Sequence, residues 1–148
     1  METTKQLKII KPILLLLIIA LSITLKGQTI IGKWETFDDK TNEKKAIVEI
    51  YNKDNLYFAK IVETFIGPKN VTCQNCKGTK KDKPIIGLVI TQNISKNGSK
   101  YDGGTILDPE SGIVYNCYLK LIDNNKLKVR GFIGFSIFGR TQYWHRKK

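Results

Sequence analysis

The chain has 148 residues, 41% hydrophobic and 26% charged, with a formal net charge of +12. This length suits one domain and excludes a multidomain enzyme or a polytopic membrane protein, and the composition excludes a disordered chain. One His and three Cys leave little for histidine-based catalysis or an all-protein zinc site.

Lys5, Lys8 and Lys11 make a positive start, and Ile13–Leu25 is an apolar run of 13 residues interrupted only by Ser22 and Thr24. A bilayer-spanning helix needs roughly 20 such residues, whereas a signal-peptide core needs roughly 7–15. The expected organisation is therefore a signal peptide over 1–27 and a single domain over 28–148, with an uncleaved anchor as the rival. No Cys precedes Cys73, so a lipoprotein attachment site is excluded. The expected destination is periplasmic or secreted. Loss of 1–27 leaves 21 of the 25 basic residues and 12 of the 13 acidic ones, a balance of +9. In an exported protein that charge faces anionic lipid, cell-surface polysaccharide or no partner at all, and we expect no nucleic-acid partner.

After residue 30 the apolar pattern has period two, punctuated by turn residues at hairpin spacing. It predicts strands at Gly32–Phe37, Ala46–Tyr51, Leu56–Thr64, Gly87–Ile94, Tyr101–Leu107, Ile113–Ile122, Lys126–Phe132 and Arg140–Arg146. The separators Asn52–Asn55, Asp108–Gly112 and Asp123–Asn125 are turn chemistry. In the sixth and seventh strands Tyr115, Cys117, Leu119 and Leu121 share one face, and Leu127, Val129 and Gly131 share another. Lys120, Lys126, Lys128 and Arg130 point away from those faces. The predicted fold is all-β, an eight-stranded antiparallel up-and-down barrel, because closure removes aggregation-prone edges. A two-sheet sandwich is the alternative. An outer-membrane barrel fits poorly, since its outward face must be apolar all round. The exception to the pattern is Phe65–Pro84, a long basic segment holding Cys73 and Cys76.

Four segments carry a family resemblance: Gly32-Lys33-Trp34; Cys73–Cys76 with Lys80–Gly87; Gly103–Gly112; and Leu127–Gly134 followed by Phe138–Trp144. Together they resemble the bacterial exported family known as domain of unknown function 2147. That resemblance implies a barrel similar to lipocalins and fatty-acid-binding proteins, and implies no reaction. Gly32-Lys33-Trp34 also resembles the lipocalin start motif, in which the Trp closes one barrel end under a basic side chain from the last strand. Arg146 or Arg140 would fill that role.

The spacing Cys73-x-x-Cys76 admits thiol-redox chemistry, half a zinc site or a disulfide. Thiol exchange lacks its usual helix N-terminus here, and zinc lacks a second ligand pair. A local disulfide is the expected state, with a bridge from either Cys to Cys117 as the alternative. His145 stands beside Arg146, Lys147 and Lys148 without a nucleophile. Asp108 and Glu110, with Asp102 nearby, read as turn residues rather than a carboxylate pair. No catalytic residue, metal ligand or cofactor is expected. Gly131–Gly139 is apolar where a polar turn belongs; it is either a plug of Phe side chains or a hydrophobic lip.

The expected function is binding of a long-chain amphiphile or anionic envelope component. Tyr57, Tyr115 and Tyr143 are expected to line the interior, with Trp34, Arg130 and Arg140 as further ligand contacts. At roughly 0.8 kcal/mol per buried CH₂ and about 8 kcal/mol for micromolar affinity, a chain of about a dozen carbons or more is required. The alternatives are an interaction module using the basic Lys69–Lys83 loop and a thiol-redox protein using Cys73 and Cys76.

Overall fold

Residues with positive φ mark where the chain reverses. Asp54 and Asn55, at φ 52° and 62°, supply the two left-handed conformations that a two-residue hairpin turn requires. They join β2 (Lys44–Lys53) to β3 (Leu56–Thr64), after β1 (Gly32–Phe37). The strands that follow are β4 (Thr91–Gln92), β5 (Ile94–Asn97), β6 (Lys100–Leu107), β7 (Val114–Asp123), β8 (Lys126–Phe132) and β9 (Gly139–Arg146). These come from a computed structural model that describes residues 27–68 and 70–148. The expected signal peptide lies outside the described residues except for Gly27.

Every neighbouring pair is antiparallel, and β1 pairs with both β2 and β9 through Trp34↔Arg146 and Glu35↔His145. The sheet therefore closes on itself as an eight-stave barrel, with β4 and β5 together forming the fourth stave. The predicted continuous strand Gly87–Ile94 is thus corrected. Asn93, at φ 56°, breaks it, and the pairing with β6 resumes at Ser95↔Asp102 after Gln92↔Thr105. Gly104 permits this kink, since a Cβ there would overlap the Gln92 carbonyl oxygen. The fourth stave also runs on to Asn97, where Gly98 (φ 58°) turns the chain into β6. Asn-Gly is a strong hairpin signal.

The core lies inside the barrel and is filled at one end. Ile30, Trp34, Ile50, Tyr101, Leu119 and Leu127 are buried together there, with Tyr57 packed against them. Tyr57 and Tyr101 meet edge to face with ring centres 4.7 Å apart. All the strands and the whole described core fall within residues 30–146. No helix among the described residues is long and apolar enough to cross a membrane.

Candidate functional site

The opposite end of the barrel is hollow. Inward positions of β2, β3, β6 and β8 converge there as Val48, Ile61, Ile106 and Val129, joined by Ile90 ahead of β4. They surround a cavity of about 630 Å³, within the roughly 300–1,000 Å³ range of small-ligand sites. Gly131 widens it: a Cβ on that residue would sit 3.4 Å from the Tyr115 Cβ and 3.7 Å from the Ile106 Cγ2. Thr36 and Gln142 bring polar groups to this largely apolar wall.

Strand β9 supplies the polar gradient. Arg140, Gln142 and Trp144 all face the cavity. The Trp144 Nε1 donates to Gln142 Oε1 at 3.3 Å, and Gln142 Nε2 donates to Asp39 Oδ1 at 3.1 Å. Arg140 pairs with Asp39 through Nε, and it is exposed where it lines the cavity. A planar guanidinium with several donors suits a carboxylate or phosphate.

Part of the mouth is covered by the segment between β3 and β4. Cys73 and Cys76 form a disulfide, and both are buried within the core cluster. The local bridge expected from spacing is therefore present, and the bridge to Cys117 is not. Cys117 is free and buried on the inner face, where burial pushes its thiol up to about 12. The covering segment is fastened to the β6–β7 turn, where Asn75 Nδ2 donates to the Glu110 carbonyl at 2.6 Å, and Lys45 of β2 holds the same turn by pairing with Glu110 at 2.7 Å. Gly112, at φ 70°, leaves no room for a Cβ against the Asn75 carbonyl. Asp108 holds the turn by accepting from the Glu110 N–H at 3.1 Å and the Ser111 hydroxyl at 2.8 Å. That bonding explains why this carboxylate is a turn residue.

The predicted contacts separate into three groups. Tyr115 and Arg140 line the cavity. Trp34 and Tyr57 belong to the filled end, away from the cavity. Trp34 donates from Nε1 to the Ile30 carbonyl at 2.8 Å, and the Arg146 guanidinium lies 4.2 Å from its ring centre. Arg146, not Arg140, is thus the basic partner of the Gly-x-Trp element. Arg130 and Tyr143 are on the outer wall and correct the expectation. Arg130 donates to the carbonyls of Ser136 (2.7 Å) and Ile137 (3.1 Å) and to the Thr141 hydroxyl (2.8 Å), so it fixes a loop. Tyr143 is 45% exposed, under the Lys126 ammonium at 4.6 Å. Its neighbours Gln142 and Trp144 are the inward residues that sequence reading missed. The signal was parity: an inward Trp144 places Gln142 and Arg140 inside and Tyr143 outside.

His145 stands at the β9 end, edge to face with Phe37 at 5.5 Å. The Gly131–Gly139 segment does not plug the barrel, since Ile133, Phe135, Ile137 and Phe138 are exposed. Among the described residues there is no cluster of three or more metal-ligating side chains.

A family sequence model described as "Uncharacterized protein conserved in bacteria (DUF2147)" matches residues 32–146. Among solved structures, the chain is similar to protein HP1028 from the human pathogen Helicobacter pylori, which belongs to the lipocalin family. The TM-score is 0.72 at 17% identity, covering 81% of this chain and 84% of that one. No curated protein matches the chain.

Proposed function

Because the chain belongs to the bacterial family DUF2147 and folds as a lipocalin-like barrel, we propose that it is an exported carrier for one long-chain amphiphile with an anionic head. The observation that carries this reading is the cavity itself. Its deep wall of Val48, Ile61, Ile90, Ile106 and Val129 suits an alkyl chain, and Arg140 stands at its mouth. Burying the chain supplies the affinity, and the guanidinium selects an acid over an alcohol of the same length. Export rests on the signal-like segment 1–27, and N-terminal sequencing of envelope material should begin near Gln28.

Isothermal titration of residues 28–148 with hexadecanoate tests the carrier reading. Gly131→Val projects methyl groups into the cavity beside Tyr115 and Ile106 and should weaken binding by about tenfold or more. Arg140→Gln should erase the preference for the acid over the matching alcohol. Absence of heat from the unaltered protein rejects the carrier.

A second reading, docking of an anionic partner on the basic loop, draws support from Lys77, Lys81 and Lys83, which are exposed on the segment stapled by the disulfide. Thiol exchange is the less favoured third reading, because Cys73 and Cys76 are both buried.

A further inference from the structure

The outer wall carries a pattern that the chain order conceals. Strand pairing sets Lys128 opposite Lys120, and Lys120 opposite Lys100, in one row across β8, β7 and β6. Like charges directly opposite one another destabilise a sheet, and neighbouring strands are only about 5 Å apart. None of these lysines, nor Lys126, joins an ion pair among the described residues; the pairs there use Lys44, Lys45, Lys60, Arg140 and Lys147. The acids on the same strands are engaged near hairpin ends. Asp102 lies 3.5 Å from Asn97, and Asp123 accepts from the Asn125 N–H at 2.7 Å. Aromatic rings take their place: Tyr118 lies under the ammonium groups of both Lys100 (5.0 Å) and Lys128 (5.8 Å).

The same wall ends in an apolar tip. Ile133, Phe135, Ile137 and Phe138, between β8 and β9, are 65–78% exposed. This loop is held rather than loose. Phe138 N donates to the Phe135 carbonyl at 3.0 Å, and Arg130 ties down the Ser136 and Ile137 carbonyls from the outer face. Arg130 faces Tyr118 across the sheet, so the tip and the lysine row adjoin. Lys128 is four residues from Phe132, about 13 Å along the strand. The tip also borders the cavity mouth, because Gly131 and Arg140 flank it and line the cavity.

We infer that this tip and the lysine row together form a docking surface for an anionic lipid bilayer. Large apolar side chains displayed at a rigid tip enter the acyl boundary, and the row of uncompensated lysines meets the headgroups beside it. The inference rests on the carrier reading only for its consequence, that the cavity mouth is brought to the membrane where an amphiphile resides.

Co-sedimentation of residues 28–148 with vesicles tests it. Vesicles of equal parts phosphatidylcholine and phosphatidylglycerol should bind the protein, phosphatidylcholine alone should not, and raised salt should release it. Phe135→Ser with Ile137→Ser should weaken binding about tenfold or more, since exposed positions lose only their apolar contact with lipid. Lys120→Gln with Lys128→Gln should weaken it by about tenfold or more, since each lysine near the surface contributes to attraction by the anionic headgroups. Both variants should titrate hexadecanoate in solution like the parent, which separates failure of docking from failure of the carrier. Equal binding to both vesicle types, no binding to either, or tip and lysine variants that bind like the parent would overturn the docking surface.

Discussion

Arg146 shows how one side chain closes an end of the barrel. Besides stacking on Trp34, it donates to the carbonyls of Asn124 (2.6 Å), Ile31 (3.0 Å) and Thr29 (2.7 Å). Gly32 makes room for it, since a Cβ there would lie 2.9 Å from Arg146 Nη1. Arg146→Ala should cost about 2–4 kcal/mol in urea unfolding, because charged hydrogen bonds and buried ring contact are lost together. Arg146→Lys should recover little of it, as an ammonium cannot fork across three carbonyls. Cys117 gives a pH signature. An unfolded thiol ionises near about 8.5, whereas the buried one holds its proton to about 12. Between those values the native state binds more protons than the unfolded state, so stability falls as pH rises through that window. Cys117→Ala should flatten that part of the stability–pH curve. Equal slopes in parent and variant would show that the thiol is not buried as described.

At the scale of the element, the segment over the mouth depends on the disulfide and on one glycine. Replacing Cys73 and Cys76 together by Ala should destabilise the fold by about 2 kcal/mol on loop-closure grounds, since the bridge spans so few residues. Gly112→Ala should loosen the same joint by forcing the turn away from Asn75, and limited proteolysis near Lys77–Lys83 should detect it. The hairpins were legible in the sequence because their turns are chemically explicit: Asp54-Asn55, Asp108–Gly112 and Asp123–Asn125. Period-two alternation likewise placed Tyr115, Cys117 and Val129 inside. Strand β9 was not legible in this way, as Arg140–Arg146 mixes charge and aromatic character on both faces. Its parity follows from pairing with β8, where Val129 opposes Gln142 and Lys128 opposes Tyr143. The division of the fourth stave escaped for a similar reason. It depends on a close approach between Gly104 and Gln92, residues distant in sequence.

At the scale of the whole molecule, the barrel has a filled end and a hollow end, and its two Trp residues report on one each. Trp34 belongs to the packed end beneath Arg146, while Trp144 forms part of the cavity wall. The distinction between hollow and filled was beyond the sequence, because the same alternation of apolar residues serves both. It arises from the missing side chain of Gly131 at one end and from aromatics packed edge to face at the other. The direct measurement is a fluorescence titration of residues 28–148 carrying Trp34→Phe, with saturated fatty acids of increasing chain length. Trp144 emission should shift and saturate with the long chains and stay unchanged with the short ones, while the Trp144→Phe counterpart should stay flat throughout. No response of Trp144 at any chain length would contradict the account.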